Sequence, residues 1–462
     1  MSNNKNTQSI TLVGAGLVGS LLSLYLAKRG YQVEVYEHRD DMRRSDISAG
    51  RSINLALANR GIYPLQKAGL MEQINPLLIA MKGRMIHDLD GNTQFQSYSQ
   101  REEEVIYSVS RGDLNKICMT AAEATGKVNI HFGKKCQVLD LNKCEITLRD
   151  QQTQQTECVN FDHIIGTDGG GSIVRQSIHE KKSTQHKILP LGHQYKELTI
   201  PAGDNGSFLI DKHSLHIWPR GGFMLIALPN LDGSFTVTLF MPESGEVSFE
   251  AFDNQQKLMT FFNQYFKDIL PLIPDLATEY FSNPTGHLAT VKCAPWYFED
   301  KALLLGDAAH AVVPFHGQGM NCGFEDVSAF AQCHDRLKPN SASDWQTLFA
   351  EVDAERKDNA DAIADMAIEN YITMRDSVND QKFLLRRALG FALEKKLPNY
   401  FCPRYSMVMF HRLGYAEAKQ RGKIQESILF ELTQGIDDIT QVDYALAEKL
   451  LVKRLKPLVL NP

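Results

Sequence analysis

The segment SITLVGAGLVGSLLSLYLAKRGYQVEVYEHRD, residues 9–40, leaves this chain few folds to choose from. Ile10 to Val13 is a short apolar run of the kind that makes a buried parallel strand. Gly14-Ala15-Gly16-Leu17-Val18-Gly19 follows it. Leu17, Leu21, Leu24 and Tyr25 then recur at helical spacing. Gly30 stops the helix, and Tyr31 to Tyr36 is a second strand that ends at Glu37. In this strand-turn-helix-strand unit Gly14 permits the tight turn and Gly16 lets backbone approach a pyrophosphate. Gly19 lets the helix pack close to the strand. The helix N-terminus favours phosphate, and Glu37, 18 residues after Gly19, can accept ribose hydroxyls.

The unit specifies a dinucleotide without separating NAD from FAD. The stretch LLLGDAAHAVVPFHGQGMN, residues 303–321, bears on that choice. Its apolar run ends at Gly306-Asp307, where a second strand end can reach the ribitol of a flavin dinucleotide. Gly317-Gln318-Gly319 and Met320 then open a helix whose N-terminal partial charge suits the anionic reduced flavin ring. A third turn, Thr167-Asp168-Gly169-Gly170-Gly171-Ser172, precedes Val174-Arg175. Asp168 there can cap the following helix, and Arg111 in SVSRGDL can reach a pyrophosphate as a bidentate donor.

Between these motifs the pattern changes. Residues 51–80 read as helical, 83–109 as short antiparallel strands, 112–126 as a helix and 128–165 as strands. Residues 193–241 form an antiparallel meander broken by Pro-Arg-Gly-Gly and Pro-Asn-Leu-Asp-Gly. Beyond residue 320 the chain is almost wholly helical. The expected fold is α/β: a Rossmann-like FAD-binding domain with an inserted antiparallel-sheet substrate domain and a helical C-terminal region. The expected boundaries are 1–80, 105–180 and 286–330 for the discontinuous FAD domain. The substrate domain takes 81–104 and 181–285, and the helical region takes 331–462.

Composition excludes several function classes. The 462 residues carry a net charge of -6 without a Lys/Arg run, which argues against nucleic acid. Eight cysteines include no C-x-x-C pair and fourteen histidines no H-E-x-x-H, so no metal is expected. The polar N-terminus is unlike a signal peptide, and no apolar window reaches a membrane-spanning length. A cytoplasmic protein with reduced thiols is expected. The C-terminal LLVKRLKPLVLNP reads as a basic apolar helix ending at Pro457 that docks on the body.

Taken together and in this order, the three glycine turns resemble those of the class A flavoprotein monooxygenases, aromatic hydroxylases of the p-hydroxybenzoate hydroxylase fold. One departure is Thr167, where that family more often has Ala. Further segments resemble the branch that hydroxylates L-kynurenine at ring carbon 3: GRSINLALANRG (50–61), KGRMIH (82–87), LHIWP (215–219), NLDGSFTVTLF (230–240), IENY (368–371) and PRYSMV (403–408).

The resemblance implies non-covalent FAD, NADPH and O2 as co-substrates, and a place in tryptophan catabolism and pyridine nucleotide biosynthesis. It implies a C-terminal membrane anchor in eukaryotic members, which is not expected here, and it leaves the oligomeric state open. Arg84 and Tyr98 are its candidates for the substrate carboxylate, with Asn370 and Tyr405 completing the clamp. Leu215, Met224, Ile226, Phe240 and Met374 would wall the aromatic slot, and Phe315 and His316 would cover the flavin side. Beside the residues already named, Leu17, Arg39, Leu55 and Ala56 would touch FAD, as would Gly317, Gly319, Met320 and Asn321. Another aromatic-acid hydroxylase of this fold, or a flavin-binding redox sensor without turnover, are the competing expectations.

Overall fold

A computed structural model describes residues 9–44, 54–377 and 380–460. The polar N-terminal tail read above, and residues 50–53 of the segment GRSINLALANRG, lie outside the described residues.

Ser9–Val13 pairs in parallel with Gln32–Tyr36 on one side and His163–Gly166 on the other. The sheet continues in parallel to Val128–His131 beyond the first neighbour and to Ala302–Leu304 beyond the second. Tyr297–Phe298 closes one edge antiparallel. Ile10, Leu12, Val33, Val35, Ile164 and Leu303 are fully buried, as the continuous apolar runs require of a parallel sheet covered on both faces. This order sets three strands side by side: 302–304, 163–166 and 9–13. Their carboxyl ends carry the three glycine turns. Those turns, far apart in sequence, therefore meet along one sheet edge, where open α/β sheets bind ligands.

A second, seven-stranded sheet contains Gly286–Lys292, Lys187–Ile200, Phe235–Pro242, Met224–Pro229, Ser214–Pro219, Gly83–His87 and Thr93–Ser97, in that spatial order. Its two faces follow from period-two alternation. Val237, Leu239 and Met241 pack with Leu225 and Ala227 against the helix Gln255–Tyr265. Thr238, Phe240, Met224 and Ile226 face the other way, toward the first sheet.

After residue 320 the chain is helical, dominated by Gly319–Leu337 and Ala342–Ile372. The last helix, Tyr444–Arg454, buries Leu450 and Leu451 in a C-terminal cluster with Leu389, Leu393 and Ile428, so its apolar stripe is docked. Among the described residues no helix is long and apolar enough to cross a membrane.

The expectation of helix across 51–80 is corrected in part. Asn54–Leu57 is a strand, paired antiparallel with Ile106–Ser110, and Ile79–Met81 pairs with the same strand from its other side. Helix occupies Asn59–Ala68 and Met71–Ile74. The alternation in INLALA is short and rich in the helix formers Ala and Leu, and tertiary pairing overrides that helical propensity. Gly83–His87 also differs from an all-antiparallel reading, since it pairs in parallel with Ser214–Pro219.

Candidate active site

Between the glycine turns and the inner face of the seven-stranded sheet lies one continuous cavity of about 880 Å³. It runs from Glu37 and Arg39, past Gly14, Gly16, Leu17, Asp168 and Asp307, to Arg84 and Tyr405.

The three glycines of the first turn are required for different reasons. Gly14 has φ +97°, and a Cβ there would lie 2.6 Å from the Thr167 carbonyl oxygen. A Cβ on Gly19 would lie 2.0 Å from the Gly14 carbonyl oxygen, so the helix packs directly on the turn. Gly19→Ala is therefore expected to lower folding stability by about 1–3 kcal/mol, read as a fall in the thermal midpoint; an unchanged midpoint would remove this packing argument. Gly16 is unlike both. Among the described residues no atom lies within 4 Å of where its Cβ would be, and that space opens on the cavity. The backbone here is bare toward something outside the chain, which suits a pyrophosphate.

Thr167 ties two of the turns together. Its hydroxyl donates to the Val13 and Gly14 carbonyls at 3.0 and 2.8 Å. An alanine could not make this strut. Asp168 accepts from the Ser172 hydroxyl at 2.6 Å and the Ile173 N–H at 2.8 Å, while Ser172 caps the helix Ile173–Lys182. Burial pushes the Asp168 carboxyl up. Arg175, singled out only by position in the sequence, is buried and donates to the Gly170 and Ala308 carbonyls, which joins the second turn to the third.

Glu37 is 2 % exposed and accepts the Ala15 N–H at 2.8 Å. Burial alone would raise its pKa; the bidentate Arg39 guanidinium, at 2.8 and 3.0 Å, outweighs it and holds the carboxyl below its usual range. Arg111 opens the helix Arg111–Glu123 and extends into the cavity, as does Asp307 at the start of Asp307–His310. Leu55, Ala56, Gly317, Gly319 and Met320 line the next stretch. Asn321 does not line it. Its side chain accepts the Ala58 N–H and donates to the carbonyls of Ala56 and Gly317, at 2.8–2.9 Å, and so clamps one wall of the cavity to the other.

At the far end the slot is apolar. Leu215, Met224, Ile226 and Phe240 come from three strands, with Phe315 and Met374 opposite. Phe315 stacks on Tyr371 at 3.9 Å between centroids and meets Phe240 edge-on at 4.9 Å. The slot ends at Arg84, which stands over Tyr405 at 5.0 Å and whose buried Nε has no hydrogen-bond partner. Tyr98 lies behind Tyr405, stacked at 5.1 Å and not on the cavity wall; its hydroxyl is buried without a partner. Asn370 is also off the wall: its amide donates to the Phe315 carbonyl at 2.6 Å. A second guanidinium, Arg387, was invisible in the sequence pattern. Burial and the Arg84 charge push its pKa down to about 10. Arg387 is not on the cavity wall and donates to the Ser97 carbonyl. Arg84 is the cation at the end of the apolar slot, and a buried cation there calls for an anion.

His316 stacks on Tyr405 at 5.5 Å with its buried Nδ1 unpartnered. Burial, reinforced by the charges of Arg404, Arg84 and Arg60, pushes its pKa down to about 3, so the imidazole is neutral. His310 instead pairs with Asp326 at 2.6 Å. His310, Cys322 and Asp326 come within 4.8 Å of one another, but the Arg356 guanidinium, 2.8 Å from Asp326, already supplies the cation there.

Residues 7–365 match the family model described as an FAD binding domain. A kynurenine 3-monooxygenase of Myxococcus xanthus is 48% identical over 449 residues, covering 97% of this chain and 96% of that protein. One from Stenotrophomonas maltophilia is 42% identical over 442 residues, 96% of each. Among solved structures, 2-methyl-3-hydroxypyridine-5-carboxylic acid oxygenase superposes with a TM-score of 0.62 at 18% identity, over 80% of this chain and 94% of that one. Pseudomonas aeruginosa PqsL, solved with 2-aminobenzoylacetate, gives 0.63 at 18% identity, over 80% and 97%. These likenesses show a shared fold.

Proposed function

This chain belongs to the kynurenine 3-monooxygenases, within the FAD-binding-domain family, and from that premise we infer how its own residues carry the reaction. It is an FAD-dependent monooxygenase that hydroxylates L-kynurenine to 3-hydroxykynurenine with NADPH and O2. Other hydroxylases of the fold and a turnover-free sensor are not favoured.

When bound, FAD accepts hydride from NADPH and activates O2, one oxygen atom entering the ring and the other leaving as water. The chain would hold it with the bare backbone at Gly16 and Arg111 on the pyrophosphate, and Glu37 on the adenosine ribose. Asp168 and Asp307 flank the ribityl region. The N-terminus of the helix Gly319–Leu337 opens on the cavity and would favour the negative charge of a reduced flavin ring held there. Asn321 fixes the spacing of Ala56 and Gly317, which would border the ring.

The observation that carries the substrate reading is Arg84, cationic, with an unpartnered donor, at the closed end of an apolar slot. A carboxylate there receives charge-assisted hydrogen bonds. Tyr405 lies under the guanidinium, and Tyr98 supports Tyr405 from behind. The aniline ring then rests among Leu215, Met224, Ile226 and Phe240, with Phe315 opposite. Asn370 acts through Phe315, whose backbone it fixes. The ring amine donates electrons to its ortho carbon, so no protein base has to act in the attack. His316, neutral at working pH, orients the ring side and excludes water. We divide the chain at the boundaries given above, with Tyr405 and Met374 supplied by the helical region. All eight cysteines are free, which supports a reducing compartment, the cytoplasm.

Aerobic NADPH oxidation should accelerate many-fold on adding L-kynurenine, with a product heavier by one oxygen. Faster oxidation without added oxygen would make kynurenine an effector only. No acceleration of an FAD-loaded protein would reject it as substrate.

A further inference from the structure

Gln318 sits between Gly317 and Gly319, which both line the cavity, yet it is fully buried and off the cavity wall. The Tyr415 hydroxyl donates to Gln318 Oε1 at 2.7 Å, and Gln318 Nε2 donates to the Met409 sulfur at 2.9 Å. Tyr415 is itself fully buried, with the Arg60 guanidinium 4.0 Å over its ring. From Arg60 the polar groups continue without a break. Arg60 pairs with Glu325 at 2.7 Å, Glu325 with Arg356 at 2.9 Å, and Arg356 with Asp326 at 2.8 Å. Asp326 accepts the Gly306 N–H at 2.9 Å. One buried chain thus starts at the turn before Asp307 and ends on the turn Gly317–Gly319. Met409 and Tyr415 lie beyond residue 365, where the FAD-domain match stops.

Apolar residues of equal volume would be at least as stable in such a place. What a satisfied polar chain adds is direction. The turn needs it: Gly317 (φ +66°) and Gly319 have no side chains, so Gln318 is the one side chain the turn itself offers, beside the Asn321 amide that holds the Gly317 carbonyl. We propose that Tyr415 is a positioning residue for FAD: through Gln318 it fixes the Gly317–Gly319 turn and makes the helical C-terminal region part of the cofactor site. This rests on the FAD reading of the cavity.

The test compares the FAD-loaded parent with Tyr415→Phe, Gln318→Met and the double variant. The readouts are the visible circular dichroism of bound FAD and its dissociation constant, with the thermal midpoint of the FAD-free protein as control. Tyr415→Phe should alter the dichroism and weaken FAD about tenfold, the worth of one buried hydrogen bond. In the Gln318→Met background it should do nothing more. A lowered midpoint with parental dichroism and affinity would mean a structural role and overturn the proposal. So would fully additive effects of the two substitutions. Should Tyr415→Phe not fold, an unaltered dichroism in Gln318→Met alone overturns it. A parent that purifies without FAD and cannot be loaded overturns the underlying reading as well.

Discussion

Gly16→Val should yield a folded, colourless protein. The Gly16 backbone is extended (φ -70°, ψ -176°), so valine fits it without strain, and its Cβ meets no atom of the described residues within 4 Å. Its methyl groups fill the space where the pyrophosphate would lie. Displacing that group costs at least two charge-assisted hydrogen bonds of about 1.5–3 kcal/mol each, which weakens FAD by roughly a thousandfold. Titration of the FAD-free protein with FAD, followed by fluorescence quenching, measures this. The thermal midpoint of the FAD-free protein should stay near the parental value, in contrast to Gly19→Ala. A Gly16→Val protein that purifies yellow would place the phosphates elsewhere.

Arg84→Ala should leave FAD bound and raise the KM for L-kynurenine about a hundredfold. Truncating one partner of a buried, hydrogen-bonded charge pair costs about 3 kcal/mol, and that is roughly two decades in affinity. Steady-state kinetics at saturating NADPH reads the effect. Lysine should restore only part of it, because a guanidinium presents a planar fork to a carboxylate and an ammonium does not. An unchanged KM would take Arg84 out of the site and leave Arg387 as the cation to test.

What could be read from the sequence was local. A glycine turn between a strand and a helix carries its reason in a few residues, so Gly14, Gly16, Gly19, Glu37 and the turns at 167–172 and 306–319 stood out unaided. The turn signals likewise marked the meander, whereas Met224, Ile226 and Phe240 entered as wall residues only through the resemblance. Interactions across hundreds of residues left no such trace. Nothing near Arg60 announces its bonds to the carbonyls of Met407 and Val408. Nothing near Arg175 announces the strut to Ala308. Asn321 was selected beside residues that touch the cavity, but its amide is spent on backbone. Tyr98 and Asn370 support Tyr405 and Phe315 from outside the wall, a distinction that depends on which ring lies in front. The strand at 54–57 was missed because its partner at 106–110 supplies the reason for it.

The strand order has a consequence for how the protein is made. Ser9–Val13 emerges first from the ribosome, His163–Gly166 much later, and Ala302–Leu304 only after the whole substrate sheet. Until then His163–Gly166 has one unpaired edge of apolar residues, a surface that invites wrong partners. Synthesis must pass residue 319 before the Gly317–Gly319 turn is complete and its helix can start, and residue 415 before Tyr415 can engage Gln318. A nascent chain therefore displays the dinucleotide signature near its N-terminus for most of its synthesis before the remaining turns that line the cavity exist. Termination before residue 302 would leave the sheet open at His163–Gly166.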